Sequence, residues 1–251
     1  GDSQAALFAQ RAYAPGGAKV TFGTGSSVLL NVGEIPVRSA SGIVTTIGWV
    51  YDGKPTYAFE GITNFTGATI TWLRDQLELI RGSAETEALA LSVEDNGGVY
   101  LVPAFVGLSA PYWRADVQAA IVGLTPSSTR AHVVRAALES ISYQIKDVLD
   151  LMAADAGIPL QSVRADGGAV TNKFLMQFTA DMTGLNVRAS TLPELSALGA
   201  VFSGLLGTGQ YNSLQALATL PADFDDYHPT MDEKQVERNY AGWKTAVQRV
   251  L

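Results

Sequence analysis

The longest regular pattern in the chain runs from about residue 130 to 156, where Val134, Leu138, Ile141, Ile145, Val148 and Met152 recur at steps of four and three. That spacing puts all six on one stripe of an α-helix. Pro126-Ser127-Ser128-Thr129 offers a start signal, and Gly157 with Pro159 a stop. Weaker helical patterns cover residues 3–13 (ended by Pro15-Gly16-Gly17), 67–79, 172–182, 193–206 and 233–250. The 193–206 segment carries Ser196, Gly199, Ala200, Ser203 and Gly204, small residues that predict close approach of another helix. Short apolar, β-rich runs predict strands at 18–22, 26–32, 43–50, 56–59, 100–105, 119–124, 162–165 and 185–189, with a turn at Asp52-Gly53. Strands dominate the first sixty residues, which predicts an antiparallel meander; helices and strands alternate afterwards. The expected fold is α/β, a mixed sheet with helices on both faces, in one domain over residues 1–251.

Composition narrows the function. Hydrophobic residues make up 47% of the 251 positions and charged residues 16%, enough for a two-sided core. No run of about 18 apolar residues suggests a membrane span. A net charge of −7 without any Lys/Arg run argues against nucleic acid or anionic membrane as partners. The absence of cysteine rules out disulfides, thiolate metal sites and thiol catalysis, and with no signal-peptide pattern a cytoplasmic location is expected. The opening at Gly1-Asp2, without Met, reads as a fragment boundary.

Several chemistries lack their residues. There is no Gly-x4-Gly-Lys-Ser/Thr loop, and Gly23-Thr24-Gly25 continues as Ser26-Ser27-Val28, not as a dinucleotide fingerprint. His132 and His228 are the only histidines, far apart; His132 is expected near a helix start and His228 in a polar loop, both structural. Two glycine turns remain. In Phe22-Gly23-Thr24-Gly25 a strand turns on small residues, where backbone N–H groups and the Thr24 hydroxyl can approach an anion. In Asp166-Gly167-Gly168-Ala169 a strand ends before a helix whose positive end favours an anion. Either turn alone is compatible with plain geometry. Asp2 is compatible with a helix cap or with a carboxylate that accepts a proton from a hydroxyl.

Taken together, the segments resemble the FGGY family of carbohydrate kinases, most closely its glycerol-phosphorylating members. The matching residues are Gly1-Asp2-x-Gln4-Ala5-Ala6-Leu7, Gly23-Thr24-Gly25, Glu60-Gly61 and Gly67-Ala68. They continue with Val102-Pro103-Ala104-Phe105-x-Gly107-Leu108-x-Ala110-Pro111-Tyr112-Trp113. Ala119-Ala120-Ile121-Val122-Gly123-Leu124, followed after seven residues by His132-Val133-x-x-Ala136-Ala137-Leu138-Glu139, is similar to the family's C-terminal signature. Asp166-Gly167-Gly168-Ala169-x-x-Asn172 and Ala197-Leu198-Gly199-Ala200 complete the set, in order along the whole chain.

The resemblance implies two actin-like (ribonuclease-H-like) domains around a cleft. This chain would be the C-terminal one, with residues 1–14 as hinge and the N-terminal domain absent. It implies Asp2 as catalytic base, with Thr24, Gly67, Thr71, Gly168 and Asn172 around the nucleotide, and ATP with Mg²⁺ as the phosphoryl source. The intact protein is expected to act on a small polyol or sugar, with glycerol the leading candidate, and a homo-oligomer is possible; the chain alone is expected to be inactive. Two positions depart from the glycerol pattern. Ser3 stands where Gln is usual beside the base, and Ser27 where an aromatic residue usually packs on the triol. Both changes imply a larger, more polar substrate pocket, so a tetritol such as erythritol or a ketose such as xylulose is the alternative. Thr71 replaces a common Gln near the nucleotide. A non-enzymatic, actin-like nucleotide-binding module is the remaining reading.

Overall fold

A computed structural model describes residues 1–251. The elements in chain order are α1 (Asp2–Ala9), β1 (Gly17–Phe22), β2 (Ser26–Gly33), β3 (Val44–Tyr51), β4 (Lys54–Thr63), α2 (Gly67–Asp75), α3 (Glu85–Leu91), β5 (Tyr100–Val102), β6 (Ala120–Val122), α4 (Arg130–Ala156) and β7 (Ser162–Asp166). A 3₁₀ turn at Gly168–Thr171 leads to α5 (Lys173–Thr183), β8 (Val187–Ser190), α6 (Leu195–Gly207), α7 (Leu214–Ala218), β9 (Phe224–Tyr227) and α8 (Glu233–Gln248).

Seven strands form one sheet in the order β3-β4-β2-β1-β7-β8-β9, and β5 pairs with β6 separately. The β1–β7 and β7–β8 pairs are parallel and the rest antiparallel, so the sheet is mixed as expected. The first four strands are antiparallel but do not form the expected meander: β4 sits between β2 and β3. Burial explains the order. Ala58 and Phe59 make β4 a core strand, whereas Val44, Ile47 and Val50 of β3 stay exposed at the sheet edge.

Helices cover both faces. Ala18, Val20, Phe22, Val28, Leu30, Val163 and Val187 pack with Val134, Leu138, Ile141, Ile145, Val148 and Met152 of α4 in the main core. The helical stripe read from the sequence is therefore the buried stripe. On the opposite face Leu29 and Ala58 meet Leu7 of α1, and Phe8 packs with Phe202 of α6 and Leu217 of α7. The end signals of α4 also hold. Thr129 is the N-cap, its N–H donating to His132 Nδ1 at 3.1 Å, and Gly157 closes the helix at φ 63°. His228 Nδ1 lies 2.8 Å from Asn186 Oδ1 in an exposed loop. Both histidines sit where the sequence placed them.

Several boundaries moved inward. α1 stops at Ala9 instead of residue 13: Arg11 turns left-handed at φ 57°, while the Gln10 side chain leaves the helix line to donate to Ala165 O (3.3 Å) and Asp166 Oδ2 (3.1 Å). α2 stops at Asp75 instead of residue 79, ahead of Glu78 at φ 51°. β5 ends at Val102, before Pro103. The short α3, α7 and β9 carried too few residues to show a period.

α6 packs against α1 as its small residues predict. A side chain at Gly199 would place its Cβ 1.9 Å from Ala5 O. Ser196 Oγ also donates to Asp2 O at 3.0 Å, fixing the first turn of α1. At the far side of the molecule α8 is tied to α4 by the buried Asp147 carboxylate. It accepts from Tyr112 (2.8 Å), Tyr240, Trp243 Nε1 (2.8 Å) and Lys244 Nζ (2.9 Å).

Candidate active site

The strand ends and helix starts on one side of the sheet enclose an open cleft of about 860 Å³. Thr24, Gly67, Thr71, Gly168 and Asn172 all line it, so five residues spread over 149 positions of sequence meet in one place. Ile70, Leu138, Ile141 and Leu175 give the cleft an apolar wall. A polar rim against such a wall suits a ligand with a flat apolar part and an anionic tail.

The β1–β2 turn builds one rim. Gly67 N donates to Gly23 O at 3.0 Å, and Thr66 N and Ala68 N donate to Thr24 O at 3.0 and 2.9 Å. The start of α2 is thereby sewn onto the turn. Gly67 must be glycine for that approach, since a Cβ would lie 2.7 Å from Gly23 O; Gly25 is held likewise, 2.5 Å from Thr63 O. Thr24 itself stays exposed at the cleft wall.

The opposite rim follows β7. Gly167 sits at φ 96° with Phe22 O 2.5 Å from where a Cβ would be, so backbone geometry alone demands glycine. Gly168 is different: a Cβ there would meet nothing within 4 Å, and the position faces the cleft. No neighbouring protein atom requires glycine there, and its missing side chain leaves that part of the cleft wall open.

The sequence expects the positive end of the following helix to favour an anion, and at α5 the chain itself supplies one. The start of α5 is satisfied from within the chain. Asn172 Oδ1 accepts from Leu175 N at 2.9 Å, and Glu87 Oε2 of α3 accepts from Lys173 N at 2.6 Å. Asn172 Nδ2 donates to Thr86 Oγ1 at 3.0 Å, so this side chain is a cap and a brace as well as part of the cleft wall. A carboxylate already occupies the favourable end of the helix dipole. On this rim the backbone at Gly168 remains open to the cleft. Glu87 was not foreseen, because α3 itself was not.

Asp2, Ser3 and Ser27 form a second group outside the cleft lining. Asp2 is not the helix cap, a position held by Gly1; its Oδ1 accepts only from Ser3 N, at 2.8 Å, and the carboxylate is exposed. Ser27 Oγ donates to Ser3 Oγ at 3.2 Å, so the two departures from the family pattern touch each other. Thr24 and Ser27 lie on one turn and its strand, which links this group to the first rim of the cleft.

Beneath α1 lies a residue that sequence reasoning passed over. Lys19 is wholly buried on β1, and its Nζ makes no hydrogen bond. Burial pulls its pKa down, while the charges of Asp166, Asp2 and Glu60 push it back up. In Ala18-Lys19-Val20 a strand lysine reads as a solvated alternate position, but β1 is the central strand and α1 covers that face. The chain holds no group of three or more His, Cys, Asp or Glu side chains arranged for a metal ion. No helix is long and apolar enough to cross a membrane.

Comparison with known proteins agrees with this geometry. A glycerol kinase from Petrotoga mobilis is 49% identical over 99% of this chain and 50% of its own length. The crystal structure of Plasmodium falciparum glycerol kinase with ADP superposes with a TM-score of 0.94 at 37% identity, over 100% of this chain and 50% of that one. A xylulose kinase from Rhodospirillum rubrum shares the fold, with a TM-score of 0.84 at 23% identity over 98% of this chain and 50% of its own. The chain thus spans about half the length of the relatives it matches. The model of the "FGGY family of carbohydrate kinases, C-terminal domain" matches residues 18–207, and the chain belongs to that family.

Proposed function

We propose that this chain is the nucleotide-holding half of an ATP-dependent kinase that phosphorylates a hydroxyl of a small polyol, with glycerol as the leading substrate. The observation that carries the reading is the cleft: all five residues expected around a nucleotide line it. The identity to glycerol kinases over the whole chain supports the substrate.

In this reading the apolar wall of Ile70, Leu138, Ile141 and Leu175 receives the base. The Thr24 turn and the backbone at Gly168 receive the phosphates. Asp2 accepts the proton as the substrate O–H bond breaks. The freed oxygen then bonds the γ-phosphorus while the bond from that phosphorus to the β–γ bridging oxygen breaks, and ADP leaves. Phosphoryl transfer asks for positioning and charge stabilisation more than for covalent help, which suits a site without His or Cys. Mg²⁺ would enter with ATP as part of the substrate. With no three-ligand cluster in the chain, it would be held by phosphate oxygens, water and at most a carboxylate or two. The remaining contacts to sugar and phosphate belong to an N-terminal domain, with residues 1–14 as the hinge. Cytoplasmic location and self-association of the intact protein are part of the same reading.

The Ser3–Ser27 contact favours a second reading on substrate size. Two small hydroxyl residues replace bulk beside Asp2, leaving room and polar partners for an alcohol longer than glycerol. A panel of glycerol, erythritol, ribitol and xylulose, offered with ATP to the intact protein, tests both. The highest kcat/KM on glycerol supports the leading reading, and a clear preference for erythritol or xylulose supports the second. No transfer to any of them overturns the kinase assignment.

A further inference from the structure

Successive side chains of β4 alternate between the two faces of the sheet, and Gly61 fixes which face is which. A Cβ at Gly61 would lie 2.8 Å from both Val148 and Met152 of α4. Its neighbour Ile62 therefore stands on the opposite face, the one that α1 crosses. Ala58, four residues earlier on that face, is fully buried in a cluster with Leu7 of α1. Ile62 is 54% exposed. It does not owe this exposure to the sheet edge, as Val44, Ile47 and Val50 do, because β4 lies between β2 and β3. The cover that α1 gives the sheet stops at this row, where Ser3 meets Ser27.

The strand register shows what Ile62 borders. It is the cross-strand partner of Ser27, so the two side chains stand side by side on one face. Residues paired in this way have Cβ atoms about 5 Å apart. Ser27 Oγ donates to Ser3 Oγ at 3.2 Å, and Ser3 N donates to Asp2 Oδ1 at 2.8 Å. A carboxylate, two hydroxyls and a branched apolar side chain thus follow one another in a contiguous line from α1 to β2 to β4. Ser3 Oγ keeps its own proton to donate and Ser27 Oγ keeps lone pairs to accept, whereas Ile62 offers only carbon. A polyol chain has the same mixed character, with hydroxyls and C–H groups along its length.

Resting on the kinase reading and its larger-substrate form, we infer that Ile62 is a specificity-determining residue: it carries the C–H groups of the substrate carbons beyond the third, while Ser3 and Ser27 bind hydroxyls and the reacting hydroxyl lies at Asp2. Chain length decides which substrates use it. A three-carbon alcohol with its reacting hydroxyl at Asp2 is spanned by the two serines. The fourth and fifth carbons of a tetritol or a ketose extend along the same row to the isoleucine. The serines alone would only make the pocket roomier and more polar; Ile62 gives the added carbons a surface to bury.

The test uses the intact protein with ATP and compares kcat and KM on erythritol, xylulose and glycerol in wild type, Ile62→Ala and Ile62→Thr, with thermal melting alongside. In Ile62→Ala the ratio of kcat/KM on the better longer substrate to that on glycerol is expected to fall about tenfold, through KM and not kcat, the discrimination that one apolar contact in a pocket supplies. Ile62→Thr keeps the branched shape that a strand favours, so it removes apolar surface without weakening β4, and its ratio is expected to fall in the same direction. A ratio unchanged in either folded variant overturns the inference and leaves the kinase reading standing. So does a kcat that falls equally on all three substrates, which would make Ile62 a packing residue between domains. A wild type active on glycerol alone overturns the inference together with the larger-substrate reading. Transfer to none of the three defeats the kinase reading itself, a result distinct from the others.

Discussion

Gly167 and Gly168 adjoin in sequence and answer to different constraints. Gly167 combines φ 96° with a backbone oxygen where its Cβ would sit, so Gly167→Ala is expected to cost at least about 1–3 kcal/mol of stability. Gly168 has open space around it, so Gly168→Ala should leave stability within about 0.5 kcal/mol while weakening ADP binding by tenfold or more. Denaturant unfolding of both variants with ADP calorimetry on the second checks the pair; an unaltered ADP affinity in Gly168→Ala would remove Gly168 from the site. As residues of a turn the two glycines read alike, and only the family resemblance singled out Gly168, since a sequence cannot say which atom a missing side chain makes room for. Lys19 shows the same limit from the other side, because its burial depends on β1 lying at the centre of a sheet assembled from distant strands.

Between elements, the α1–α6 contact transmits most directly to the site. Gly199→Ala pushes a Cβ to within 1.9 Å of Ala5 O, which is backbone and cannot swing aside. Such overpacking costs about 1–3 kcal/mol. Since Ser196 of α6 holds Asp2 O, kcat should fall further than nucleotide affinity does, and comparing the two in one variant checks it. A second joint is Asp147, on which Tyr112, Tyr240, Trp243 and Lys244 converge. Asp147→Ala strands these donors and should cost about 3–5 kcal/mol, read as an early melt of α8. Element-level legibility was uneven for a physical reason. α4 displays a regular stripe of six large apolar residues over its 27 positions, and both of its ends are chemically marked, so it was read almost to the residue. α3, with seven residues, and β9, with four, bury too little to show a pattern, and they were invisible. The order of β3 and β4 was misread because local pairing favours a meander, whereas the burial of Ala58 and Phe59 decides the actual order.

At the scale of the whole molecule, this chain carries one wall of a cleft and, in the proposed reading, the base near it, with the second wall in another domain. The five residues proposed for the nucleotide gather here, while Asp2, the proposed base, is exposed at the first turn of α1. The 251 residues alone are therefore expected to bind ADP weakly and to turn over no substrate; calorimetry and a coupled ADP-release assay check both halves of that statement. The fold class was legible from the order of elements, and the five cleft residues came from the family resemblance, Thr71 among them although it departs from the usual residue there. The exclusion of Asp2, Ser3 and Ser27 from the cleft lining was not legible, because it depends on how α1 crosses the sheet. The most direct test of the central claim is Asp2→Asn in the intact protein, measured for phosphoryl transfer and ADP affinity together. The account predicts a fall in kcat of about 10²–10⁴-fold with ADP affinity unchanged. An Asp2→Asn protein that phosphorylates glycerol at the wild-type rate would contradict it.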